Sequence, residues 1–64
     1  MVISVIDSDN EEFIDRIEIG DVNEFKFKLK DYFWAVDKLF DSDGNIRLHH
    51  YDLDLFNKFL MENL

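Results

Sequence analysis

Cysteine and proline are absent from this chain, and glycine occurs only twice. Without thiols there is no disulfide and no thiolate zinc site, a composition that fits a cytoplasmic protein. With so little proline and glycine there is no flexible linker or low-complexity tract, so the chain reads as continuous structure. Cations are scarce as well: seven lysines and arginines stand against fifteen acids, for a formal net charge of −8. Direct nucleic-acid binding and attachment to an anionic membrane both need a cationic surface, and neither is expected. The longest N-terminal apolar run, residues 2–6, is too short for a membrane span or a signal peptide, and acids follow it at once. No glycine-rich phosphate loop or nucleophile elbow is present around Ser4, Ser8 or Ser42, so catalysis is not expected.

What is present is aromatic and acidic. Ten of the 64 residues are Phe, Tyr or Trp. A chain of this length makes one small domain, residues 1–64. It buries only about 60% of its unfolded surface, so a dense aromatic interior or self-association must supply stability. Residues 21–40 carry the strongest pattern. At about 100° per residue, Phe25, Leu29, Tyr32, Phe33, Val36, Leu39 and Phe40 fall on one stripe. Asp21 and Glu24 form an N-terminal capping arrangement, and Asp41-Ser42-Asp43-Gly44 is a stop. The pattern predicts one long central helix, with Phe27 and Trp34 together on its opposite face.

The rest of the chain supplies a small sheet and a second helix. Residues 2–6 are apolar and β-branched and read as a strand. Residues 11–19 fit either a helix capped by Ser8 and Glu11 or the second strand of a hairpin. The hairpin is the preferred reading, because a lone strand needs a partner. Ile46-Arg47-Leu48 repeats the alternation of Ile17-Glu18-Ile19, and pairing of these two segments would set Arg47 opposite Glu18. Residues 51–63 form a C-terminal helix with Leu53, Leu55, Phe56, Phe59, Leu60 and Leu64 on its apolar side. The sequences Ile6-Asp7-Ser8-Asp9 and Phe40-Asp41-Ser42-Asp43 echo each other as a weak internal repeat. The expected class is α+β: a small antiparallel sheet, made of the N-terminal hairpin and a short third strand near 45–49, packed with the long central helix and the C-terminal helix. The alternative is an all-α helix-loop-helix.

That alternative rests on residues 41–53, Asp-Ser-Asp-Gly-Asn-Ile-Arg-Leu-His-His-Tyr-Asp-Leu, which resemble an EF-hand calcium loop. The resemblance implies Asp41, Asp43, Asn45 and Asp52 as ligands at the first, third, fifth and twelfth positions, with the Arg47 carbonyl and His49 between them. Two departures weaken it. Ile46 stands where the family carries glycine, and Asp52 replaces the longer bidentate glutamate. The other reading of the same stretch is a turn whose aspartates cap the chain ends. His49 and His50 are adjacent and diverge in any regular structure, so a chelating pair is not expected, nor is any other cofactor.

Two surfaces remain as functional candidates. Residues 1–24 hold eight acids against Arg16 alone, whereas residues 25–64 are nearly balanced. Asp9, Glu12, Asp15, Glu18, Asp21 and Glu24 recur every third residue, which reads either as a solvated face or as a surface for a basic partner. By composition the chain is similar to compact acidic inhibitors of phages and mobile elements, which mimic nucleic acid. The second candidate is Phe27 with Trp34, flanked by Lys26, Lys30 and Lys38, as an anchor for a homodimer or another partner. The expected function is therefore a non-catalytic acidic module that docks on a basic protein surface. A calcium-responsive element and a dimerising structural subunit are the alternatives.

Overall fold

The computed structural model describes residues 1–64. Its central strand is β1, Val2–Asp7, whose alternation sends Ile3, Val5 and Asp7 into the interior and leaves Val2 exposed. β2, Glu12–Glu18, returns antiparallel beside it, so residues 11–19 are a hairpin arm. Asp7 Oδ1 accepts from Asp9 N at 3.0 Å and Asn10 Oδ1 from Glu12 N at 3.0 Å, which closes the turn. The same turn holds Glu11 at φ 60, a left-handed conformation in a residue that carries a Cβ. Val5 pairs with Asp15 but Ile6 pairs with Phe13, so Ile14 is a bulged residue with no opposite number.

The third strand, β3, Ile46–Leu48, joins the other edge of β1, giving the order β2-β1-β3. It runs parallel to β1, with Val5 opposite Ile46 and Asp7 opposite Leu48, so the sheet is mixed where an antiparallel one was expected. The chain that separates the two strands contains a helix and crosses the sheet, which permits the parallel sense. Because β1 lies between β2 and β3, Arg47 never faces Glu18. Its guanidinium pairs instead with Glu11 and lies 3.8 Å from Asp41.

The long central helix is broken into a helix and a folded-back aromatic turn. α1 covers only Val22–Leu29. A continuous helix over residues 21–40 would span about 30 Å. The whole molecule measures 28 × 21 × 20 Å, so such a helix would run its full length, whereas a bend returns Tyr32, Phe33 and Val36 to the core. The chain bends back instead. Tyr32 N and Phe33 N both donate to Leu29 O at 3.0 and 2.9 Å, and a short 3₁₀ turn follows at Val36–Leu39. Asp31-Tyr32-Phe33-Trp34 is a poor helical run, since aromatic side chains lose χ1 freedom against the preceding turn. At the start of α1, Asp21 Oδ1 accepts from Asn23 N and Glu24 N at 2.9 and 3.3 Å. Glu24 does not return the cap; it pairs with Lys28 at 3.2 Å.

A 3₁₀ turn, His50–Asp52, leads into α2, Leu53–Asn63, so the fold is α+β and the all-α alternative does not hold. The core lies between one face of the sheet and the two helices. Phe59 of α2 is fully buried at its centre, edge-on to Phe25 of α1 at 5.3 Å and to Tyr32 at 5.2 Å, with Phe56 6.0 Å away. Removing that ring leaves a cavity among three others. Phe59→Ala is expected to cost about 3–5 kcal/mol. A domain of this size has roughly 3–10 kcal/mol in total, so urea unfolding of the variant should show a largely lost or early transition.

Candidate functional site

The acidic third does not form one continuous face. Of its six residues, three have structural work. Asp21 caps α1 and Glu24 pairs with Lys28. Asp9 joins the hairpin turn to the segment after β3: its Oδ1 lies 3.0 Å from His49 Nδ1, and its Oδ2 accepts from His50 N at 2.7 Å. The remaining three, Glu12, Asp15 and Glu18, are all exposed on β2, and none meets a cation. β2 is one of the two edge strands of the sheet and is bonded only to β1. Strand pairing sorts these three between its faces: Glu12 and Asp15 lie opposite Asp7 and Val5 on the helix side, and Glu18 lies opposite Val2 on the outer side. The period of three in the sequence is therefore a strand edge with acids on both flanks. Phe13 and Ile14 are also exposed there, and Arg16 lies over the Phe13 ring at 5.7 Å.

The clasp around Asp9 includes a residue that sequence reasoning passed over. Asp7 is 2% exposed, the one buried charged side chain of the molecule. Its Oδ2 lies 3.2 Å from His50 Nδ1, while Ser8 N donates to Leu48 O at 2.8 Å beside it. The available signal was the strand period, which puts residue 7 in line with Ile3 and Val5. His49 and His50 thus each meet a different aspartate and do not converge on a common point. His49 also stacks on Tyr51 at 5.4 Å with the rings nearly parallel.

Residues 41–45 form a tight loop with a geometry of its own. Asp41 Oδ1 accepts from Asp43 N and Asn45 N, both at 2.9 Å, and a bridge between Phe40 and Ile46 closes the loop. The first acceptor bond repeats the one from Asp9 N to Asp7, so the two Asp-Ser-Asp stretches build the same local turn. The left-handed residue is Gly44 at φ 84, two positions before Ile46, which is wholly buried in β3. Hydrogen bonds from the Asn45 and Asp43 amides, with a smaller contribution from the charge of Arg47, hold the Asp41 carboxyl below its ordinary range. Asp52 lies elsewhere, at the start of α2, and no three acid or histidine side chains stand together as a metal-binding group.

Phe27 and Trp34 are both surface residues, at 73% and 94% exposed. The N-terminal strands do not cover them. The helix ends between them, so the seven-residue spacing no longer sets them on one helical face. Trp34 instead rims an open pocket of about 340 Å³, together with Tyr32, Phe33, Leu39, Leu55 and Asp52. Leu55, expected in the core, is part exposed because it faces this opening. The Tyr32 hydroxyl donates to Glu62, a bond that favours the protonated phenol and raises its pKa.

In comparisons with known proteins, no family model, no curated protein and no solved structure matches this chain, and the functional reading rests on the chemistry of its own surface.

Two predictions follow from these placements. The hydrogen bond and charge of Asp9 raise the His49 pKa above its ordinary 6.5, and the hydrogen bonds from His49 and the His50 amide lower that of Asp9 below 3.8. A raised histidine contributes stability that is complete below its unfolded pKa and is lost as pH rises through the folded one. Unfolding midpoints should therefore fall as pH rises past 6.5, and Asp9→Asn should flatten that slope. Secondly, Trp34→Ser removes a side chain that packs on almost nothing, so stability should change by less than about 0.5 kcal/mol in denaturant unfolding. A loss of several kcal/mol would mean that the ring is core.

Proposed function

We propose that this protein is a non-catalytic acidic binding module, an inhibitor or regulator that docks on a basic surface of another protein through β2. The observation that carries this reading is the set Glu12, Asp15 and Glu18: exposed, without a cation, and confined to an edge strand whose outer backbone side is unpaired. A solvated acidic face needs no such edge, and an open edge flanked by like charges is protected against a second copy of itself. A basic groove supplies what the strand lacks, namely cations for its carboxylates and backbone partners for its free edge. The net charge of −8 steers a cationic partner toward it, in the manner of a nucleic-acid mimic. Docking takes place in a reducing compartment, for which a chain free of cysteine is suited.

The structure also refines which acids to test. Neutralising Asp9 would loosen the clasp, and neutralising Asp21 would uncap α1, so both mix folding with binding. Glu12→Gln, Asp15→Asn and Glu18→Gln together touch no recorded ion pair and should leave the thermal midpoint unchanged or slightly raised. The triple variant should lose capture of a basic protein from cells of the native host, and the wild-type complex should come apart at high salt. Unaltered, salt-insensitive capture by the triple variant would refute docking through β2.

A further inference from the structure

The pocket beside Trp34 has a composition that a purely apolar groove lacks. Its walls include three consecutive aromatic residues, Tyr32, Phe33 and Trp34, with Leu39 and Leu55, and its single charged lining residue is Asp52. Asp52 forms no ion pair and makes no side-chain capping bond to α2, so its carboxylate is uncommitted. Trp34 is 94% exposed, and nothing in this chain covers its ring. Neighbouring acids enter no ion pair either: Asp31 precedes Tyr32, Asp37 follows Val36 and Asp54 precedes Leu55. No lysine or arginine lines the pocket, so the charge of its wall is that of Asp52 alone.

We propose that this pocket binds the side chain of an arginine presented by the basic partner, with the guanidinium against Trp34 and paired to Asp52. This deepens the docking reading above and rests on it for the partner's character. An apolar wall, a ring face and a carboxylate without a hydrogen-bond partner supply what the stem, the flat cation and the N–H fork of an arginine each require. The methylene stem lies on Leu39 and Leu55, the flat cation stacks on the indole, and its N–H fork donates to the carboxylate. A lysine ammonium is a more strongly hydrated point charge and stacks less well, so arginine is the preferred occupant. A volume of about 340 Å³ is at the low end for ligand pockets and suits one long side chain.

The test uses the chain's single tryptophan as reporter. Acetyl-Gly-Arg-Gly-amide should change Trp34 emission saturably, and the norleucine analogue, which keeps the stem and lacks the cation, should not. Asp52→Asn keeps a residue favoured at helix starts, and it should weaken the arginine peptide by about tenfold. Amide shifts of the wild type should move at Leu39, Asp52 and Leu55 and stay fixed along β2, a readout that stands even if the variant fails to fold. Equal binding of the norleucine peptide, undiminished binding by folded Asp52→Asn, shifts that map to β2, or no saturation at all would each overturn the proposal. The β2 triple variant should bind the arginine peptide as the wild type does, so failure of this site and failure of docking through β2 are separately visible.

Discussion

Three aromatic rings meet around Phe59, and the fold depends on that meeting. Phe25 reaches it from α1, Tyr32 from the turn beyond, and Phe56 from the preceding turn of α2. A chain of 64 residues has too little apolar surface to stabilise two helices separately. One shared ring lets α1, the aromatic turn and α2 bury their apolar sides against each other and the sheet at once. The bend after Leu29 is a consequence: only by folding back does the chain bring Tyr32 onto Phe59 and Val36 into the interior.

Charge organises what the rings leave outside. Acids outnumber bases about two to one, and self-repulsion works against a compact state. The structure offsets part of that by placing a guanidinium and two imidazole rings where the acids converge. Arg47 lies between Glu11 and Asp41, and the two histidines take Asp9 and Asp7. These contacts link the hairpin turn to the segment between β3 and α2, far apart in sequence. Among the acids left without a cation are Glu12, Asp15 and Glu18 along β2 and Asp52 in the Trp34 pocket, and those two regions carry the functional proposals.

Fold class and most element positions were legible because they depend on local pattern. The β-branched run at 2–6, the short alternation at 46–48 and the apolar face of α2 each settle their own structure within a few residues. The helix over residues 21–40 misled for a definite reason. Its apolar stripe is real, and Phe25, Leu29 and Val36 are all buried, but a stripe records which residues go inside and not whether the helix between them is continuous. The same error joined Phe27 to Trp34. The candidate site was read in part: Glu12, Asp15 and Glu18 are exposed and meet no cation, while Asp21 caps α1, Glu24 pairs with Lys28, and Asp9 is committed to His49 and His50, partners that no sequence spacing reveals.

By itself, the sequence determined the absence of disulfides, the excess of negative charge, the strands at 2–6 and 46–48 and most of the apolar residues that go inside. Composition and short-range periodicity fix those quantities wherever the chain folds. Tertiary structure alone decided the central place of β1, the parallel sense of β3, the end of α1 at Leu29 and the opening beside Trp34. Each depends on the space available in a body 28 Å long and on partners many residues away. Local preference does not encode such distances, because they arise only when every element competes for the same small core.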